Sequence, residues 1–382
     1  MCRARVLQLI TLSDRGGAQG VVFALARGLR DRYDVTVACA PGGPLVTRLS
    51  GEGIHVVELP AMVRTPHLFK DVRTLRQLTR WLHRERFALV HCHSTKAGLL
   101  GRLAAARAGV PAVVFTAHAW PFTEGWPVPV RVGAMLAERV VARWTTAIIC
   151  VTDQVRRDAL RMRIGTPAQL HVIPNGIDPR TFLDGSVERV RSGPPAVVAV
   201  GRLRAPKDPG TLLRAWALVR GEGRLRMIGD GPQRPDAEAL ARRLALAARV
   251  EFMGERDDIP SLLREAEVFV LSSRWEGMPL AVVEAMFSGL PVVATAVGGV
   301  GDVVVHGETG LLVPPGDPLA LAAALQRLLD DRELRRAMGS AGRARALAMF
   351  TEERMVARTA EVYERLLAGR RFSPARSDPP AG

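Results

Sequence analysis

Glu276 and Glu284 stand eight residues apart in the run Glu276-Gly277-Met278-Pro279-Leu280-Ala281-Val282-Val283-Glu284. Pro279 has no N–H to lose and a fixed φ, which suits the first turn of a helix. Leu280 to Phe287 contain no breaker, so the run predicts a helix with Glu284 about one and a half turns in, on its polar side. Glu276 then lies on the glycine-containing loop that feeds the helix. A helix start offers unpaired N–H groups and a partial positive charge, where a diphosphate is at home. Two carboxylates beside it can accept hydrogen bonds from hydroxyls. Alone, such a pair also fits the acid/base couple that hydrolyses glycosidic bonds. With a helix start and cations nearby it fits a ligand that is both phosphate and sugar.

The cations come from a second segment. Val197 to Val200 reads as a strand, followed by Gly201-Arg202-Leu203-Arg204-Ala205-Pro206-Lys207-Asp208. Asp208 and Pro209 read as an N-cap and first helical residue, so Arg202 and Lys207 flank a strand-to-helix turn. Arginine gives a forked contact and lysine a point charge, and together they suit a diphosphate. Gly229-Asp230-Gly231-Pro232 is a tight turn on the same rim, and Gly298-Gly299 follows another strand.

These segments need a scaffold that brings strand ends together. In the first half, strands are expected near 4–10, 34–39, 54–58, 88–91, 112–116, 146–150 and 170–173; in the second, near 196–200, 224–228, 250–253, 267–271, 291–294 and 311–313. Helical patterns lie between most of them, and 317–329, 331–347 and 351–367 are helical as well. Alternating short apolar strands and helices imply an α/β fold of parallel sheets covered on both faces. We expect two doubly wound, Rossmann-like domains facing a ligand cleft at the carboxyl ends of their strands, with C-terminal helices closing the fold. The boundaries read 1–185 for the first domain, 186–350 for the second, 351–369 for a closing helix packed back on the first, and 370–382 for a disordered tail. Ser186 to Pro195 is the linker candidate.

A chain of 382 residues with 48% hydrophobic and 24% charged residues fits a soluble globular protein of two domains. Its apolar runs are too short to span a bilayer, and no cleaved signal peptide is expected. Cys2, Cys39, Cys92 and Cys150 show no paired spacing and read as reduced cytosolic thiols. Of the net +15, residues 1–180 contribute 25 Lys+Arg against 12 Asp+Glu. That imbalance points to an anionic partner for the first half.

The second half resembles the nucleotide-sugar domain of the retaining glycosyltransferases of the GT-B fold, specifically family 4. The resemblance is carried by Gly201-Arg202-Leu203 with Lys207, Gly229-Asp230-Gly231-Pro232, Glu276-Gly277-Met278-Pro279-Leu280 with Glu284, Gly289-Leu290-Pro291-Val292-Val293, and Gly307-Glu308-Thr309-Gly310. In the first half, Gly16-Gly17 matches the family's glycine pair and Val172 to Asp178 its interdomain turn. His91 to Gly98 and Phe115 to Trp120 resemble members that build bacterial surface polysaccharides.

The resemblance implies roles. Arg202 and Lys207 would hold the donor diphosphate and neutralise charge as it leaves, aided by backbone N–H groups at Met278 and Leu280. Glu284 would hydrogen-bond the ribose, and Glu276 the donor sugar near its anomeric carbon. Gly16 and Gly17 would let a donor phosphate approach backbone N–H groups, and His118 would face donor sugar and acceptor. The implied activity is a retaining hexosyltransferase that needs no bound metal or cofactor and takes a donor of the UDP-sugar kind. Front-face displacement would give retention, since no residue is an obvious nucleophile. His91 and His93 read as structural; His-Cys-His alone supplies too few metal ligands. Two departures stand out: Ala119 where the family often has glycine, and Gly301-Asp302 in place of a common Pro-Glu.

Lys70, Arg73, Arg76, Arg80 and Arg84 form one stripe of a predicted helix, with Leu75, Leu78 and Leu82 opposite. Residues 64–107 hold ten basic and two acidic residues. That face is expected to dock on anionic lipid, which suits a glycan or polyprenyl-diphosphate-linked acceptor and a cytoplasmic chain peripheral to the inner face of the plasma membrane. Two competing readings are a nucleotide-sugar epimerase of the same fold and a non-enzymatic basic nucleic-acid-binding protein. No nucleic-acid module is recognisable, and Trp81 is the only aromatic residue interleaved in the basic helix, so nucleic acid is not an expected partner.

Overall fold

The computed structural model describes residues 3–120, 122, 127–183 and 195–368. The expected linker, Pro195 apart, and the expected tail lie outside these residues. The chain forms two compact units, Met1–Gly176 with Glu352–Gly382, and Ile177–Thr351.

In the first unit the strands are β1 (Arg5–Leu9), β2 (Asp34–Cys39), β3 (His55–Glu58), β4 (Leu89–His93), β5 (Ala112–Ala117), β6 (Ala147–Cys150) and β7 (Leu170–Val172). Between them run α1 (Gly17–Leu29), α2 (Pro44–Gly51), α3 (Leu68–Glu85), α4 (Thr95–Arg107), α5 (Val128–Ala142) and α6 (Asp153–Arg161). The sheet order is β3-β2-β1-β4-β5-β6-β7, parallel throughout. Val, Ile, Leu and Ala fill these strands because both faces are covered by helices.

The second unit repeats the plan with α7 (Arg180–Leu183), β8 (Ala196–Val200), α8 (Pro209–Leu218), β9 (Arg224–Ile228), α9 (Arg234–Arg243), β10 (Val250–Gly254), α10 (Ile259–Arg264), β11 (Val268–Leu271), α11 (Leu280–Phe287), β12 (Val292–Thr295), α12 (Val300–Val303), β13 (Gly310–Val313), α13 (Pro318–Asp330) and α14 (Arg332–Met349). Its sheet order is β10-β9-β8-β11-β12-β13, again all parallel. A last helix, α15 (Glu352–Leu367), belongs to the first unit, where Met355 and Tyr363 join the core and the Tyr363 ring meets Tyr33 edge-on.

Helix α4 lies unusually close to its sheet. A Cβ on Gly98 would fall 2.6 Å from the Phe115 ring, and one on Gly101 2.4 Å from Leu9 and 2.6 Å from Cys92 Sγ. The same packing buries Arg102, which was counted among the basic surface residues. Its guanidinium donates to Glu138 of α5 (2.6 Å) and to the Gly98 carbonyl (2.7 Å), and lies over the Phe115 ring. Lys96 is likewise taken up by Asp71. On α3 the expected faces appear: Lys70, Arg73, Arg76, Arg80 and Arg84 are exposed, while Leu78 and Leu82 are buried and Leu75 half-buried. Trp81 is core, edge-on to Phe87.

Removing one partner of a buried ion pair strands the other charge. Glu138→Ala should therefore lower the unfolding free energy by about 3–5 kcal/mol in urea titrations, whereas the double change Arg102→Met, Glu138→Leu should cost far less. An unchanged midpoint for Glu138→Ala would contradict this account.

Candidate active site

In the second sheet β8 and β11 are neighbours whose chains leave in opposite directions, to β9 and to β12. The loops after them therefore diverge and leave a crevice at the strand ends, where ligands of such sheets bind. Arg202 and Lys207 follow β8, and Glu276 follows β11. Lys207 Nζ donates to Glu276 Oε1 at 2.6 Å, so residues 69 apart in sequence meet across the strand-order reversal. The pair is partly buried, with 26% and 12% of the side-chain surfaces exposed.

Several side chains hold this pair in place. Ser273 Oγ donates to the same Glu276 Oε1 at 2.6 Å, and Thr295 Oγ1 donates to the Ser273 carbonyl at 2.6 Å. Ser272 Oγ donates to the Lys207 carbonyl at 2.8 Å. Asp208 caps α8 by accepting from Thr211 N at 3.1 Å, and its carboxylate also accepts from Arg274. Gly298, at φ +49, passes so close that a Cβ would sit 1.9 Å from the Glu276 carbonyl oxygen. Gly229, at φ +125, presses likewise on the Gly201 carbonyl. The glycines thus let the loops after β8, β9, β11 and β12 stack backbone on backbone.

Pro279 is the residue before α11 rather than its first, and no side chain caps that helix start. Gly277 and Met278 are buried beneath it. Glu284 is not on a freely polar side: Val282, Val283, Ala285, Met286 and Phe287 around it are all buried. Its carboxyl makes no hydrogen bond or ion pair with the described residues, and although part of the residue is open to solvent, burial pushes its pKa up to about 7.

In the first sheet β1 and β4 are the neighbours at the reversal. Gly16 and Gly17 follow β1 at the start of α1, whose first turn has no acidic residue and no side-chain cap. Registers of Gln8 with His91 and of His93 with Thr116, with two-residue spacing along each strand, place Gln8, His91, His93 and Thr116 on one face. His118 follows β5 directly after Ala117 and is half-buried. His93 Nδ1 is 3.3 Å from His118 Nε2, and His93 Nε2 is 2.7 Å from Gln8 Oε1. Gln8 Nε2 donates to the Tyr363 hydroxyl at 2.8 Å, which lies 2.6 Å from His91 Nδ1, and His91 Nε2 is 2.7 Å from Thr116 Oγ1. Burial disfavours the imidazolium forms: His91 falls to about 3, His118 to about 4, and His93 well below its ordinary value. No group of three metal-ligating side chains occurs among the described residues.

Sequence reasoning named the two carboxylates, the two cations and His118, but missed Ser273, Thr295, Gln8, Thr116 and Tyr363. A lone glutamine inside the apolar strand Arg-Val-Leu-Gln-Leu was the available signal, since a buried amide must find partners.

Because the folded state raises the Glu284 pKa from 4.5 to about 7, the unfolded chain loses that proton first as pH rises. Between those values the folded state is progressively penalised, and above pH 7 the penalty is complete. Glu284→Gln should hence raise the Tm of the ligand-free protein at pH 8, with the gain vanishing near pH 4. Equal Tm differences at both values would refute the desolvated carboxyl.

Residues 15–181 match the family described as Glycosyltransferase Family 4, and residues 194–331 the one described as Glycosyl transferases group 1. The chain is 31% identical over 318 residues to the UDP-Gal:alpha-D-GlcNAc-diphosphoundecaprenol alpha-1,3-galactosyltransferase of Escherichia coli, covering 80% of this chain and 82% of that one. It is 34% identical to the D-inositol 3-phosphate glycosyltransferase of Kineococcus radiotolerans, over 75% of this chain and 74% of that one. Among solved structures, Anabaena HepE in complex with UDP and glucose superposes with a TM-score of 0.84 at 23% identity, covering 95% of this chain and all of that one. Two parallel Rossmann-like sheets, the matched families and these relatives together make the chain a GT-B-fold glycosyltransferase of family 4.

Proposed function

We propose that the chain is a retaining hexosyltransferase that moves a sugar from a UDP-sugar to a glycan or polyprenyl-diphosphate-linked acceptor in surface-polysaccharide synthesis. The observation that carries this is Lys207 Nζ held 2.6 Å from Glu276 Oε1 at the strand-order reversal, beside the uncapped start of α11. An ammonium has three protons, so Lys207 can keep Glu276 and still donate to a phosphate oxygen. Arg202 adds a forked cation on the same loop, and the N–H groups at Met278 and Leu280 add the helix-start field. Gly16 and Gly17 would let the donor phosphate approach the backbone of the first domain. Glu284, with no partner among the described residues, can take ribose hydroxyls. Support for the donor and acceptor comes from the Escherichia coli relative, named for UDP-Gal and a diphosphoundecaprenol-linked sugar, and from the UDP held by HepE.

In the reaction, the acceptor oxygen bonds to the anomeric carbon on the face from which the phosphate oxygen departs. The bond between that carbon and the phosphate oxygen breaks, and the leaving diphosphate takes the acceptor's proton. Arg202 and Lys207 meet the charge that develops there, the electrostatic work that a metal performs in other transferases. Glu276 grips donor hydroxyls, and His118 addresses donor sugar and acceptor in the first domain.

The acceptor domain also bears the basic stripe of α3, with Leu68 and Phe69 exposed at 74% and 81%. We assign this face to anionic lipid, placing the enzyme peripherally on the inner face of the plasma membrane. No described helix is long and apolar enough to cross a membrane. Flotation with vesicles containing anionic lipid should carry the protein at low salt and release it at high salt; failure to float at low salt defeats this assignment.

UDP should raise the Tm of the intact protein more than other nucleoside diphosphates do, since a ligand of the folded state stabilises it. Lys207→Ala should keep the fold and lower turnover by roughly 10²–10³-fold, as loss of one charge-stabilising donor does elsewhere. Near-normal turnover in that variant, or epimerisation of donor incubated alone, would reject the transferase mechanism.

A further inference from the structure

The hydrogen-bond chain Thr116–His91–Tyr363–Gln8–His93–His118 joins three strands and α15, and all its members except half-buried His118 are buried. Its ordering follows from the chemistry of one side chain. The Gln8 amide turns its nitrogen to the Tyr363 hydroxyl (2.8 Å) and its oxygen to His93 Nε2 (2.7 Å). An amide oxygen can only accept, so His93 Nε2 carries a proton. A neutral imidazole has one N–H, so His93 Nδ1 is a bare acceptor facing His118 Nε2 at 3.3 Å. His118 must then carry its proton on Nε2, leaving Nδ1 bare. The other branch follows from the same amide: Tyr363, already accepting from Gln8, donates to His91 Nδ1 (2.6 Å), and His91 Nε2–H donates to Thr116 Oγ1 (2.7 Å).

We propose that Gln8, oriented by Tyr363 and acting through His93, is a positioning residue that fixes the tautomer of His118, so that His118 offers a lone pair on Nδ1 to a hydroxyl-bearing ligand. Turning the amide over would reverse every bond in the chain and present an N–H instead, so the orientation of the Gln8 amide decides which chemistry His118 has. Nδ1 itself has no partner among the described residues. Burial supports the neutral state the argument needs, keeping His91 near 3 and His118 near 4. A hydroxyl, not a second anion, is the ligand that such a nitrogen recognises. The proposal rests on the transferase reading for what that hydroxyl belongs to, the acceptor or the donor sugar, but the tautomer does not depend on it.

The test is a long-range ¹H–¹⁵N spectrum of the full chain labelled on histidine at neutral pH, with His118 assigned by comparison with His118→Gln. The wild-type protein should show His118 protonated at Nε2 and bare at Nδ1. Gln8→Leu should shift those resonances toward a mixture of tautomers. It should also lower kcat by about tenfold, less than the roughly 10²–10⁴ that a group transferring the proton itself supplies, leaving the donor KM unchanged. Tyr363→Phe, which removes one hydroxyl and keeps the ring in the core, should produce the same spectral shift if Gln8→Leu folds poorly. A wild-type His118 protonated at Nδ1, or a pattern unmoved in the variants that fold, overturns the proposal. Absence of transfer by the wild-type enzyme with any UDP-sugar would instead fault the UDP-donor reading, while the nitrogen pattern still decides the tautomer.

Discussion

The short contact between Lys207 and Glu276 sets the geometry of everything around it in the second domain. Each residue hangs from a loop, and each charge is partly withdrawn from water. Their pairing ties the loop after β8 to the loop after β11, and Ser273 and Thr295 tie both to β12. Such a pair contributes little net stability, since desolvation offsets the Coulomb gain. Its value is orientation: the ammonium is aimed before any ligand arrives, and the reorganisation that a flexible lysine would need is already made. Gly298 is the consequence, as only a residue without Cβ lets the next loop lie on the Glu276 carbonyl.

The first domain uses the same reversal of strand order for a different purpose. There the strand ends carry neutral imidazoles and an amide instead of an ion pair. A parallel sheet sealed by helices is a poor place for charge, and the histidines respond by staying unprotonated. Their polar atoms must therefore pair with one another, which is why a residue of the last helix, Tyr363, is recruited to a network on β1, β4 and β5. A half-satisfied chain would cost more than an apolar one, so its members stand or fall together.

All thirteen strands among the described residues were legible, because a buried parallel strand must be a short run of Val, Ile, Leu and Ala between turn residues. The helix start at Asp208-Pro209 was legible too, since its cap is written in adjacent residues. Contacts made by folding were not. Gln8 and Tyr363 are separated by 355 positions, and no spacing rule connects them. Arg102 was misplaced with the surface cations because a count of charges ignores depth; Gly98 and Gly101, four and one positions earlier, were the sign that α4 lies against the sheet. Glu284 was placed on a polar side because helical periodicity reports one face, and α11 is buried over more than one.

Charge and chemistry are thereby kept apart in the first domain. The exposed cations of α3 create a field that reaches about 8–10 Å into solvent at ordinary salt. That suffices to draw an anionic surface or ligand toward the domain without any cation entering its core. Inside, Arg102, the one buried arginine among the described residues, is answered by Glu138, so it adds little net charge to the core. Burial then leaves His118 uncharged and able to accept a directional hydrogen bond, where a positive imidazolium could only donate one. The domain can be strongly basic outside and still offer an acceptor nitrogen within, because the two properties reside on different elements and are separated by the sheet's own core.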